Sequence, residues 1–194
     1  KGKVIISGSD VWNDGWSVHS GNTYKHEWTY SVSIEKPWGD RGPSEEIATR
    51  REMVFVDGIW MKQVMALDAL EDNSFFVDET NDLLYVQVAD SIDFNNSDKE
   101  IGLRGDGENA PWPPQRLFTV PIDKDKVVLR NLSFQHANMR LSEATLKIQG
   151  WKVLVEGCEI VWNNGLGVSI SGDNENVILR NNTMDHNGGA GLTT

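Results

Sequence analysis

VLVEGCEIVWNNGLGV at 153–168 and VILRNNTMDHNGGAGL at 177–192 are nearly the same phrase, 24 residues apart. A third copy, VVLRNLSFQHAN at 127–138, precedes them by 26 residues. Aligned by these offsets, Val127, Val153 and Val177 share a column, as do Val128, Leu154 and Ile178, and Leu129, Val155 and Leu179. Arg130, Glu156 and Arg180 form the next column, and Asn131, Gly157 and Asn181 the one after it. Phe134, Ile160 and Met184 coincide, as do His136, Trp162 and His186. Asn163 matches Asn187, Gly165 matches Gly189 and Gly167 matches Gly191.

A fixed period of this length decides the architecture before any local feature does. Leucine-rich repeats need a Leu-x-x-Leu-x-Leu frame, and helical repeats need long segments of 3.6-residue periodicity; neither is present. Short β-branched runs separated by Asn and Gly fit an all-β fold, a parallel solenoid in which each repeat is one coil. Each column then stacks on itself at the ~4.8 Å strand spacing. Apolar columns make a continuous core. The Arg130–Glu156–Arg180 column alternates in sign, so neighbours attract. Asn163 over Asn187 is expected to form an amide ladder, and the glycines to supply the positive φ of tight corners. The competing reading, a chance echo in an ordinary β-sandwich, does not account for columns that agree in character position after position. The first repeat is irregular: Met139–Glu143 is extra, so a loop is expected between His136 and a strand at Thr145–Ile148.

Outward from the repeats the chain changes character. Residues 10–110 show no such period and are rich in tryptophan: Trp12, Trp16, Trp28, Trp38 and Trp60. MVFVDGIW places Asp57-Gly58 between apolar runs, a two-residue hairpin signal. FFVDETNDLLYVQV predicts a second hairpin around Asp78–Asp82. TYKHEWTYSVSI (23–34) alternates as a half-buried strand does, and MKQVMALDAL (61–70) predicts a short helical turn. PWGDRGP (37–43) and PWPP (111–114) read as a loop and a stiff link. The expected organisation is a β-helix strand within 1–9, an inserted antiparallel β module over 10–114 and coils over 115–194.

Charge and composition narrow the function. A formal net charge of −11, with no basic patch, speaks against nucleic acid as partner and against a strongly anionic substrate. No apolar run approaches the ~18–20 residues of a membrane span. Cys158 is the sole cysteine, which excludes an internal disulfide framework. KGKVIISGSD lacks the apolar segment of a signal peptide.

VIISGSDVW with Gly15-Trp16, PWGD (37–40), RREMVFVDGIWMKQV (50–64), FFVDETNDLLYVQ (75–87) and the words LRNLSFQHAN and WNNGLGV carry a resemblance. The chain resembles the right-handed parallel β-helix proteins of the pectate-lyase-like superfamily. Within it, the likeness is to members with an inserted β-sandwich, similar to the β-xylosidase-type glycoside hydrolases. The resemblance covers most of the chain. It implies further coils before Lys1 and after Thr194, a bacterial protein, a secreted or periplasmic location, and a polysaccharide or oligosaccharide partner. It also implies glycoside hydrolysis of a neutral polysaccharide without a cofactor. Alternatives are a polysaccharide lyase dependent on Ca²⁺ and a non-catalytic glycan-binding or scaffold solenoid. An open solenoid end would also allow self-association through Val177–Leu179.

Glycosidic hydrolysis needs two carboxyl groups flanking the bond. Asp185 is the catalytic candidate. Its column, Gln135–Val161–Asp185, holds no second carboxylate, so its partner is expected on a further coil about 24 residues beyond it. Glu159, in the column Ser133–Glu159–Thr183, reads as a surface strand residue. His136, Trp162, His186, Asn163 and Asn187 are the candidate substrate contacts, because sugar rings stack on indole and their hydroxyls bond to imidazole and amide groups. Stacking along the column is the plainer account of the same three rings. Asp173 and Glu175 are the acids nearest to a Ca²⁺ cluster, but no outward Lys or Arg stands beside them. Zinc-type Cys/His clusters, phosphate loops and Gly-x-Ser-x-Gly are absent from the sequence.

Overall fold

The structure is a computed structural model that describes residues 2–28, 30, 50, 52–102, 117–139, 143–172 and 176–194. Trp38, the PWGDRGP and PWPP segments and the turn Asp173–Glu175 lie outside them, as do residues 140–142 of the irregular loop. The chain divides into two compact units, Lys1–Gly8 with Pro111–Thr194, and Ser9–Ala110.

β1 (Val4–Ser7) opens the first unit. The second unit then contributes β2 (Asp10–Val11), β3 (Ser17–Ser20), β4 (Thr23–Glu27), β5 (Met53–Val56), β6 (Ile59–Trp60), β7 (Lys62–Gln63), β8 (Ser74–Asp78), β9 (Leu83–Gln87) and β10 (Lys99–Gly102). They form two sheets, ordered β2-β10-β5-β6 and β3-β4-β9-β8-β7. Trp28, Val54, Phe75, Leu84 and Ile101, each 2% exposed or less, belong to one apolar cluster, against which Trp12 and Trp16 pack half-buried. Both expected hairpins form. Asp57 and Gly58 take φ of 49° and 73°, the left-handed pair that a two-residue turn needs. The Asp57 carboxylate accepts from Ser97 Oγ at 2.7 Å and from the Asp98 N–H at 2.8 Å. The Ser97 bond, then the Asp98 bond, holds this carboxyl below its usual range. The helical turn is a single 3-10 turn at Leu67–Ala69.

The module is not wholly antiparallel, as the sequence had suggested. β7 pairs with β8 in parallel, Lys62 opposite Ser74. Parallel neighbours need a crossover connection, and residues 64–73 provide one. The strand over 23–34 is seen only as Thr23–Glu27, with Trp28 turning into the core; 29 and 31–34 are not among the described residues.

The first unit continues with β11 (Phe118–Val120), β12 (Val128–Arg130), β13 (Leu132–Gln135), β14 (Ala144–Ile148), β15 (Leu154–Glu156), β16 (Glu159–Val161), β17 (Leu166–Ile170), β18 (Ile178–Arg180), β19 (Thr183–Asp185) and β20 (Leu192–Thr193). These strands make three parallel sheets, ordered β1-β13-β16-β19, β12-β15-β18 and β11-β14-β17-β20. The chain visits each sheet once per repeat. Pairing follows the sequence columns: Val128, Leu154 and Ile178 are partners, as are Arg130, Glu156 and Arg180, and Phe134, Ile160 and Met184. The inward column positions Leu129, Phe134, Leu146, Ile148, Val155 and Ile160 belong to one buried cluster. β1, from the start of the chain, lies alongside β13 with Val4 opposite Leu132.

The corners correct one expectation. Three residues per repeat take the left-handed conformation, and each stacks on its counterparts. Lys126, Lys152 and Asn176 have φ of 56°, 53° and 60°. Asn131, Gly157 and Asn181 have 56°, 63° and 55°, and His136, Trp162 and His186 have 59°, 56° and 51°. Gly157 is the one glycine in these columns. Gly165, Gly167, Gly188, Gly189 and Gly191 do not have positive φ; several serve instead where stacked backbones approach closely. A Cβ on Gly167 would lie 2.5 Å from the Gly191 carbonyl oxygen, and one on Gly188 would collide with the Asn164 backbone.

Candidate functional site

Alternation along β13, β16 and β19 sends Phe134, Ile160 and Met184 inward and the residues on either side of them outward. The outward face therefore carries two rows across the sheet. One is Ser7–Gln135–Val161–Asp185 and the other Ile5–Ser133–Glu159–Thr183. Each row repeats at the ~4.8 Å strand spacing. The face is polar, apart from Ile5 and Val161, although Ser133 on it is buried at 3% exposure. Ser133 Oγ donates to Gln135 Oε1 at 3.4 Å. Lys3 Nζ lies 2.5 Å from Glu159 Oε1, with side chains 32% and 41% exposed.

Asp185 ends its strand on this face, with its side chain 65% exposed. Its neighbours are local. The His186 N–H donates to Asp185 Oδ1 at 2.8 Å, and His186 Nδ1 lies 3.1 Å from Oδ2. Directly across the pairing stands Val161, as the columns implied. A second carboxylate is nonetheless near. Thr183 pairs with Glu159, so Asp185 is one strand across and two residues along from Glu159. Reading down columns missed this diagonal relation. The signal was in the two adjacent columns taken together.

The His136–Trp162–His186 corner borders the Asp185 row. The Trp162 and His186 rings stack with centroids 3.9 Å apart and planes 18° from parallel. That stack covers one face of the indole, so one Trp162 face is closed to a sugar ring. The His186 side chain is 52% exposed and presents its ring edge beside Asp185. His136 is buried at 4% exposure, below the accessible end of the column.

Asn163 belongs to the scaffold. It is 1% exposed. Its Nδ2 lies within bonding distance of the carbonyls of Val161 at 3.0 Å and Phe134 at 3.3 Å, and of Asn187 Oδ1 at 2.9 Å, while its Oδ1 accepts from the Ala137 N–H at 2.8 Å. Asn187 Nδ2 donates to the Ile160 carbonyl at 2.9 Å. A parallel ladder links Asn164 Nδ2 to Asn138 Oδ1 at 2.9 Å. The amide ladder expected from the repeat thus forms, and it takes up the groups that were also read as sugar contacts. Asn163, buried with its amide committed, offers nothing to a ligand.

Among the described residues no group of three or more His, Cys, Asp and Glu could hold a metal ion. Elsewhere, a polar cleft of about 470 Å³ lies at the β3–β4 turn, lined by Ser20, Asn22, Thr23, Asp72, Gln87 and Asp90. Its side chains bond chiefly to one another, Asn22 to Asp90 and Thr23 to Gln87.

No protein-family model matches the chain, and no curated protein matches it. Among solved structures it is similar to one described as the complex structure of XylC with xylose, with a TM-score of 0.58 and 13% identity. The match covers 86% of this chain and 31% of that chain, so the sequence spans less than a third of its neighbour's length. Identity this low shows a shared fold, all-β with parallel sheets, and nothing finer.

Proposed function

We propose that the first unit is a stretch of right-handed parallel β-helix and the second its β-sandwich insert, within a secreted or periplasmic glycoside hydrolase acting on a neutral polysaccharide. The observation that carries this reading is the outward polar face of the β1-β13-β16-β19 sheet, with Asp185 and His186 exposed together at its border. Hydroxyl, amide and carboxylate groups on neighbouring strands of this face, Ser7, Gln135, Glu159, Thr183 and Asp185, suit the hydroxyls of a polysaccharide. Asp185 serves as a catalytic carboxylate, and the exposed His186 edge contacts the sugar. The structural neighbour was solved with xylose, which points to pentose-containing glycans as the first to try. The chain's net charge of −11 weakens the case for polyuronates.

The test is reducing-end release from xylans, arabinans and pectins by the longest natural form of the protein, with ultraviolet absorbance read in parallel. New reducing ends without absorbance support hydrolysis. Absorbance that depends on Ca²⁺ would replace it with lyase chemistry. Binding without turnover would leave a glycan-binding scaffold.

A further inference from the structure

We infer that Asn187-Gly188 is a site of spontaneous deamidation, held shut by the preceding repeat, and that its conversion uncouples the two repeats for good. Asparagine followed by glycine offers this reaction the least steric resistance, because the attacking nitrogen has no side chain beside it. Here the fold demands both residues. Gly188 is required because a Cβ there would collide with the Asn164 backbone of the repeat before it. Asn187 is required by the amide ladder. Its Nδ2 donates to the Ile160 carbonyl at 2.9 Å, and its Oδ1 accepts from Asn163 Nδ2 at 2.9 Å. The Gly188 N–H donates to the Asn163 carbonyl at 2.7 Å. Nucleophile, leaving group and carbonyl oxygen are therefore all bonded to the 153–168 repeat. Asn187 is half-buried and Gly188 exposed, so water reaches the site once these bonds part.

The Gly188 nitrogen loses its proton and bonds to Asn187 Cγ. The Cγ–Nδ2 bond breaks, and Nδ2 leaves as ammonia with that proton. Water then opens the resulting succinimide at Cγ to give aspartate, or at the α-carbonyl to give isoaspartate, whose main chain runs through the side chain. One water is consumed, one ammonia is released and one carboxylate is gained. The reaction cannot start while Asn163 holds the Gly188 N–H and Ile160 holds Nδ2, so local opening between the repeats sets its rate. The product cannot rebuild the ladder. An aspartate has no N–H for the Ile160 carbonyl, and the two oxygens repel. Isoaspartate adds a backbone atom directly after His186, whose ring stacks on Trp162 at 3.9 Å and whose Nδ1 lies 3.1 Å from Asp185 Oδ2. The modification thus acts on the corner that the hydrolase reading uses, while resting on no part of that reading.

The experiment incubates the whole chain in mildly alkaline buffer, native and unfolded in guanidinium. Mass spectrometry of tryptic peptides follows the exchange of ammonia for water. Asn181 and Asn182 share a peptide with Asn187 and serve as references. In the unfolded chain Asn187 is expected to react before both. In the native chain its rate is expected to fall about 100-fold or more, since three bonds must open together. Asn163→Ala removes one of the three and should raise the native rate about 5–100-fold. If that variant does not fold, hydrogen exchange at the wild-type Gly188 N–H replaces it. Guanidinium below the unfolding transition should then raise exchange and deamidation in parallel. Equal Asn187 rates in native and unfolded chains would overturn the protection. So would an Asn163→Ala chain that reacts no faster, or Gly188 exchange as fast as in an unfolded peptide. Asn187→Asp stands in for the product and is expected to unfold at a lower midpoint than the wild type. An unchanged midpoint would overturn the uncoupling.

Discussion

Single residues in this chain are constrained more by their neighbours in the stack than by their own turn. Asn163 is the clearest case. Its amide, itself 1% exposed, serves the Ala137 N–H, two carbonyls and Asn187. Asn163→Ala should cost about 1–3 kcal/mol, since an unpaired buried polar group loses its solvation without compensation. Denaturant unfolding measures it, and a loss within error would mean that water replaces the amide. Glu156 is a second case. Arg130 Nε at 2.8 Å and Arg180 Nη2 at 2.6 Å flank its carboxylate. The Arg130 hydrogen bond foremost, then Arg180, lowers its pKa from the ordinary 4.5. A lowered folded-state pKa gives stability that is present above the unfolded value and lost as pH falls through the folded one. The stability difference between wild type and Glu156→Gln should therefore be level above pH 4.5 and shrink below it. It should also shrink in ~1 M salt, where screening acts over about 3 Å. A difference that ignores both pH and salt would show that the ion pairs contribute nothing.

At the scale of elements, the repeat was legible and the corners were not. The strands pair in the register given by the columns, because a slip of one residue would turn every inward side chain outward. The corners break the usual association of glycine with positive φ. Trp162, His136 and the lysines hold left-handed turns in which each repeat stacks on the next, at positions where sequence preference favours Gly or Asn. Gly157 and Gly172 do take positive φ, as expected, but Gly167 and Gly188 are required by the close approach of the adjacent repeat, which local sequence does not reveal. Gly167→Ala tests this. Its Cβ would sit 2.5 Å from the Gly191 carbonyl, so the variant should lose ~1–3 kcal/mol by overpacking, without any backbone conformation being forbidden. Thermal unfolding that is unchanged would show that the repeats can part to admit a methyl. The hairpin at Asp57-Gly58 is the contrary case, where two-residue turn chemistry alone predicted the observed backbone.

For the whole molecule, charge gives the broadest expectation. At a net charge of −11, turnover or binding of a neutral xylan should exceed that of a polyuronate of equal length at low ionic strength. The gap should narrow as salt rises, because interactions between exposed charges fade beyond the Debye length. A preference for the polyuronate, unaffected by salt, would show that local contacts outweigh the overall field. The repeated sequence was sufficient to predict parallel strands, their register, the alternating Arg–Glu–Arg column and the Asn163–Asn187 ladder. All of these follow from identical positions stacking on themselves. The tertiary structure decided what depends on neighbours off the column. It set Glu159 diagonal to Asp185, joined Lys3 to Glu159 across an intervening strand, closed one face of Trp162 with His186 and buried Asn163. A period in sequence specifies which residues lie one above another; the spacing between columns, and the side on which each chain segment lies, arises only when the strands assemble into sheets.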